Sequence, residues 1–285
     1  MSAPRYNAYR SSGSTWLPDV PTHWEIRTLR SLGKLLKGGG GSKEDASEDG
    51  VPCVRYGDIY MTHHHHILQA RTRIPFELSK HYTPVRFGDV LFAASGEKME
   101  EIGKSAANLI REDAFCGGDL IILRPTQPVH PEFLGYVTDC YSAAAQKASM
   151  GRGTTIKHIY PDELRHLLLP IPPIDEQRAI AAFLDRETGK MAALIAEQER
   201  LIELLQEKRQ AVVTDGVTKG LKPGVPMRDS GVEWIGAVPR NWEVGSAGRY
   251  VTVVSGFAFP SSEFTHTDLD TRLLRGVNVG VRSLK

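Results

Sequence analysis

The chain has 285 residues, 41% of them hydrophobic, with 35 basic against 34 acidic side chains and a formal net charge of +1. That composition supports one substantial core with residues to spare and excludes a chain that binds nucleic acid through overall basicity. Its apolar runs, such as Leu167, Leu168 and Leu169, fall far short of the roughly 18 residues a membrane span needs, so a cytoplasmic protein with no membrane partner is expected.

The first predicted element is an extended arm that occurs twice. Arg10, Ser12, Gly13, Trp16, Val20, Pro21, Trp24 and Glu25 recur as Arg228, Ser230, Gly231, Trp234, Val238, Pro239, Trp242 and Glu243, every pair 218 positions apart. All four tryptophans of the chain lie in this repeat. Proline holds the residue before it extended, and the tryptophans are expected to cap a core. The similarity continues with Gly38 against Gly256, then Val54, Arg55 and Ile59 against Leu274, Arg275 and Val279 after a two-residue slip. The domain is therefore read as duplicated. A second copy as long as the first would run to roughly residue 440, so residues 223–285 are read as the start of an incomplete one.

Between the arms, residues 38–41 are four glycines that read as a natural loop. No GK[ST] or helix start follows in register, which argues against a nucleotide-binding loop. Residues 51–60 read as a strand with a turn signal at Gly57 and Asp58. Further strands are expected at 85–93, 120–124 and 167–171, and a helix at 131–148. This mixture predicts an α+β domain over residues 1–173. Cys53, Cys116 and Cys140 form no CxxC pair, which favours buried thiols over a zinc or redox centre. Histidines 63–66 would alternate faces in a strand and have no cysteine or carboxylate at ligand spacing, so no metal beyond adventitious binding is expected. Asp58, Asp89, Glu97 and Asp119 are available acids, but nothing in the sequence gathers a base, a nucleophile and an oxyanion donor around them.

After Pro170, Ile171, Pro172 and Pro173 enforce extended backbone, Asp175 is expected to cap a helix with Glu176 in its first turn. Ile180, Leu184, Met191, Leu194, Ile195, Leu201, Ile202, Leu205 and Val212 then recur at steps of three and four, the pattern of a coiled-coil seam. Continuous from 175 to 213, this helix would be about 58 Å long, a spacer over the region 174–222. Gly189 is expected to weaken its middle or kink it.

A domain that ends in Leu169-Pro170-Ile171-Pro172-Pro173 is followed by Asp175-Glu176-Gln177-Arg178, a long helix, Thr218-Lys219-Gly220-Leu221 and a second Trp-Pro-Trp arm. In this order, the chain resembles the specificity subunit of type I restriction-modification systems, ending within its second target-recognition domain. The resemblance implies two recognition domains that each read half of a split double-stranded DNA site, held apart by paired antiparallel helices. It also implies a subunit with no active site and no directly bound cofactor. S-adenosylmethionine would serve the modification (methyltransferase) subunits, and ATP and Mg the restriction (translocase and nuclease) subunit. With the second half incomplete, the seam of Ile180, Leu184, Met191, Leu194, Ile195, Leu201, Leu205 and Val212 is expected to pair with a second copy, which implies a palindromic split site. The rivals are an inactive fragment or recombination cassette, and a coiled-coil adaptor that does not read DNA. An independent methyltransferase is disfavoured, because the only Pro-Pro is Pro172-Pro173, outside an Asn/Asp-Pro-Pro-aromatic motif.

Base reading calls for Arg, Lys, Asn, Gln or Thr on loops, and phosphate contact for basic groups near glycines. Arg152, Thr154, Thr155, Lys157 and His158 meet this description in the segment 149–158, which matches a glycine- and threonine-containing segment of the family. Lys37 beside the glycine run, Arg55 with Tyr56, Arg71 with Arg73, and Lys98 with Lys104 are the other candidates.

Overall fold

The computed structural model describes residues 6–254 together with Gly256 and Pro260. It separates into two compact units that meet in sequence at Gln198 and Glu199.

The first unit is built on a five-stranded sheet in the order Gly33–Lys37, Leu120–Pro125, Val90–Ala93, Ser105–Asn108, His65–Ile67. Its pairings are antiparallel except the last. Strand alternation sends Val90, Phe92, Ile121 and Leu123 into one apolar cluster and Leu91, Ala93, Leu120 and Ile122 into another. Both faces of the sheet are thus covered, which is why residues 120–123 of the expected strand are an unbroken apolar run. One face packs on the helices Pro131–Asp139 and Tyr141–Met150. The other packs on a four-stranded sheet ordered Thr72–Ile74, Val51–Val54, Ala114–Cys116, Thr83–Val85. The α+β class stands.

Three local expectations change. The strand expected over 51–60 stops at Val54 and gives way to the helix Tyr56–Met61, because the Asp58 carboxylate accepts the Arg55 amide at 3.1 Å and turns the chain. The helix expected at 131–148 breaks at Cys140, whose ψ of 163° is extended. The strand expected at 85–93 is two strands, Thr83–Val85 and Val90–Ala93, parted by a turn with Gly88 at φ +86°.

Glu25–Thr28 pairs antiparallel with Leu168–Ile171, and the chain then enters an uninterrupted 46-residue helix, Ile174–Lys219. Asp175 lies inside its first turn rather than capping it, and Gly189 does not interrupt it. Ala181 is buried and Ile180 half-buried against the domain's own core, so the exposed apolar stripe begins later than the sequence periodicity indicates. From Met191 onward the apolar residues are exposed, among them Leu194 and Ile195 in the first unit and Leu201, Ile202, Leu205, Val212 and Val217 in the second.

The duplicated arms share their strand pairing and the hydrogen bond that ties arginine to tryptophan. Tyr9 and Arg10 pair with Pro21 and Val20, as Met227 and Arg228 pair with Pro239 and Val238. The Arg10 guanidinium donates to the Trp24 carbonyl at 2.7 Å, and Arg228 donates to that of Trp242 at 2.7 Å. Gly13 and Gly231 hold φ of +70° and +73°. The tryptophans cap less than expected: Trp16 and Trp234 are exposed. Leu274, Arg275 and Val279, where the repeat was extended, lie outside the described residues.

Candidate nucleic-acid interface

On the first unit, loops converge on a cleft of about 500 Å³. Gly40, Gly41 and Ser42 form one wall, Arg55, Tyr56, Asp58 and Met61 another, and Arg71, Thr72, Tyr82 and Asp119 complete it. Glycine is required at the rim. Gly40 sits at φ +88°, where a Cβ would overlap the His81 carbonyl, and its own carbonyl accepts the Gly118 amide at 3.0 Å. Asp119 at the base holds φ +58°, a left-handed conformation uncommon outside glycine. Tyr82 donates to the Asp45 carboxylate at 2.7 Å; burial first, and then that carboxylate, push its phenol up to about 12, so it stays a hydrogen-bond donor at neutral pH.

A second cluster adjoins the first across the helix Tyr56–Met61. Tyr56 and Met61 line the cleft, while Tyr60 donates to the Ser95 carbonyl at 3.0 Å. Ser95–Gly96 pairs with Lys157–His158, which brings Lys98 and the 152–158 loop together across some sixty residues of sequence. The Ser95 hydroxyl lies 3.1 Å from His158 Nδ1, and the His158 ring stacks on Tyr160. Thr154 and Thr155 are exposed at the tip.

The charges are not equally available. Arg73 is held by Glu112 at 3.2 Å and the Gly50 carbonyl at 2.8 Å, Lys98 by Glu101 at 3.2 Å, and Arg152 by Glu163 at 2.6 Å. Lys104 donates to the Tyr60 carbonyl at 3.1 Å, and Lys157 to the carbonyls of Gly153 and Thr154. Arg55 donates to the Ser42 carbonyl at 3.1 Å. Arg71 is exposed in the cleft, and among the described residues it has no hydrogen-bond or ion-pair partner. Lys37, on the edge strand beside the glycine run, is exposed as well. Two guanidiniums and two carboxylates line the cleft. Such a mixture suits the donor and acceptor edges of bases better than phosphates alone.

The sequence reading missed Met61, Thr72, Tyr82, Gly117 and Gly118 as lining residues; only the Gly117-Gly118 pair carried a local signal, that of close backbone approach. Two of the four offered acids, Asp58 and Asp89, are otherwise engaged. Asp89 is buried and held by Arg124 at 2.7 Å, and Asp58 is occupied by the turn at Arg55. Among the described residues no group of three or more His, Cys, Asp or Glu could hold a metal ion, and no helix is long and apolar enough to cross a membrane.

Residues 21–204, well over half of the chain, match the family model of the type I restriction modification DNA specificity domain. The chain belongs to this specificity family. Among its members, the MjaX type I restriction enzyme specificity subunit of Methanocaldococcus jannaschii is 25% identical over 272 residues, covering 92% of this chain and 61% of the relative. The EcoKI specificity subunit of Escherichia coli K12 is 26% identical over 206 residues, covering 70% and 43%. The chain thus spans less than two thirds of the length of either relative. A chain from a solved structure of a type I R-M system, 21% identical, superposes with a TM-score of 0.55 over 75% of this chain and 49% of that one, so the two share a fold.

Proposed function

We propose that this chain reads one half of a split duplex DNA site in the cytoplasm and catalyses nothing itself, as the specificity subunit on which modification and restriction subunits assemble. S-adenosylmethionine, ATP and Mg then belong to those partners. The observation that carries the reading is the convergence of the cleft and the 95–98 and 152–158 loops on either side of the helix Tyr56–Met61. Arg71 is the residue best placed to read a base, since an unengaged guanidinium presents two parallel donors to the O6 and N7 of guanine. Lys37, Tyr56, Thr154, Thr155 and His158 are the further contacts; Arg55, Arg73, Lys98, Lys104, Arg152 and Lys157 contribute only after giving up intramolecular partners. With Lys37 and Arg71 the unpaired cations among the candidate contacts in the described residues, much of the salt-dependent affinity comes from the modification subunits. The exposed stripe of Met191, Leu194, Ile195, Leu201, Leu205 and Val212 supports pairing with a second helix of the same kind, a second copy of this chain supplying it.

The test is selection of duplexes from a random pool by the chain assembled with its modification subunit and S-adenosylmethionine at near-physiological salt. A split motif is expected, and a palindromic one if two copies pair. Arg71→Ala should erase preference at one position per half-site, about 1–3 kcal/mol of discrimination. A complex that assembles and enriches nothing would leave the helix-pairing adaptor as the function.

A further inference from the structure

We propose that Glu176, seconded by Asp185, is a positioning residue that fixes the recognition domain's pose on the long helix and thereby sets the half-site spacing the assembled reader accepts. The inference rests on the reading of the chain as a split-site DNA reader.

Glu176 gathers the N-terminal arm. Its Oε2 accepts the Tyr6 hydroxyl at 2.9 Å and the Trp24 indole N–H at 3.0 Å, while Oε1 lies 2.7 Å from His23 Nε2. Burial alone would raise this carboxyl, but those three donors outweigh it and hold it below the usual range. The donors are not loose, since the Tyr6 ring meets His23 and Trp24 at 5.5 and 5.8 Å and Arg10 ties the Trp24 carbonyl.

The joint continues along the helix. Gln177 is buried, accepting the His130 amide and donating to the Pro172 carbonyl, both at 2.8 Å. At Asp185 the Tyr136 hydroxyl donates at 2.7 Å, and the His66 ring lies 3.7 Å away. His66 is seated by its other nitrogen, 2.9 Å from the Glu132 carbonyl, and its ring meets Tyr136 edge-on. His66, the last of the run 63–66, thus belongs to the joint.

From Glu176 to Asp185 is about 13 Å along the helix axis. Apolar contacts at Ile180 and Ala181 resist separation but not small rotations or shifts, whereas directional hydrogen bonds at both ends fix angle and height. The scale is demanding: one base pair is about 3.4 Å of duplex, less than the 5.4 Å pitch of one helical turn. A joint loosened by part of a turn reaches the neighbouring spacing.

The experiment uses the chain assembled with its modification subunits and S-adenosylmethionine, offered duplexes that carry the selected half-sites with spacers two base pairs shorter to two longer. Wild type should enrich one spacer. Glu176→Gln and Asp185→Asn should raise the adjacent spacers about tenfold relative to the preferred one, the scale of a charge-assisted hydrogen bond, while base preferences within each half-site stay unchanged. Ile122→Val, which loosens the core away from the joint, should keep the wild-type spacer. Retention of a single spacer by both folded joint variants overturns the inference, as does equal broadening in Ile122→Val. A wild-type complex that enriches no motif overturns the DNA reader itself, and the inference falls with it.

Discussion

Replacing Lys147 by methionine, similar in length and uncharged, probes the interior of the recognition domain. The lysine is 1% exposed, its Nζ donating to the Gly103 carbonyl at 2.7 Å and the Thr138 carbonyl at 2.8 Å, 3.7 Å from the Asp139 carboxylate. Substitution strands two carbonyls, at about 1–3 kcal/mol each. It also removes one partner of Asp139, whose carboxyl burial would raise but which the His65 ring, the Lys147 charge and the Ser105 amide together hold low. Against this stands relief of the lysine's own desolvation, and we expect a net loss of about 3 kcal/mol at pH 7. At about 2–4 °C per kcal/mol for a domain of this size, the melting temperature falls by about 10 °C. Burial, opposed by Asp139, lowers the Lys147 ammonium to about 8. The unfolded chain therefore keeps this proton to higher pH than the folded one, so wild-type stability gains as pH rises from about 8 towards the lysine's ordinary value near 10.4. Lys147→Met lacks that gain, and the gap between the two proteins should widen by up to about 3 kcal/mol. Paired thermal melts at pH 7 and pH 10 measure it, with other titrating groups common to both proteins. A gap that stays constant or narrows with pH would refute the reasoning, as would a methionine variant as stable as wild type at pH 7.

Two further expectations concern the cleft and the thiols. Gly40→Ala forces a Cβ onto the His81 carbonyl at positive φ and should cost about 1–3 kcal/mol together with DNA selection, whereas Gly39→Ala, whose Cβ would meet nothing nearer than the Thr83 hydroxyl at 3.6 Å, should be tolerated; melts and selection on both variants check this. Burial pushes the Cys53 thiol up to about 11 and Cys116 up to about 12, so iodoacetamide at pH 8 should leave both unmodified in the native protein and label them only on unfolding, read by peptide mass spectrometry.

The repeated arm was legible because tryptophan is rare and its spacing recurs, and the long helix because its apolar steps persist over many turns. The sequence could not show where that helix stops belonging to its own domain. Ile180 and Met191 look alike as seam positions, yet the first packs on the core and the second is exposed, a distinction made by tertiary contact alone. The helix Tyr56–Met61 was hidden because Val51, Val54, Ile59 and Tyr60 form an apolar-rich stretch that also suits a strand, and the deciding event is one side-chain hydrogen bond from Asp58. The cleft was half visible: the glycine run and Arg55 announce themselves locally, while Arg71, Tyr82 and Asp119 reach it only through sheet pairing. Lysines and arginines can be counted in a sequence, but their partners cannot, which is why Lys104 and Arg152 looked as available as Arg71.

The pairing of Glu25–Thr28 with Leu168–Ile171 places the way into the recognition domain beside the way out. A domain attached in that manner is a pendant on a two-stranded stem. Loops far from the stem can lengthen, shorten or be exchanged for those of another reader without altering where the chain rejoins the helix. On the proposed reading, sequence preference and assembly geometry can therefore evolve separately, with the stem as the border between them.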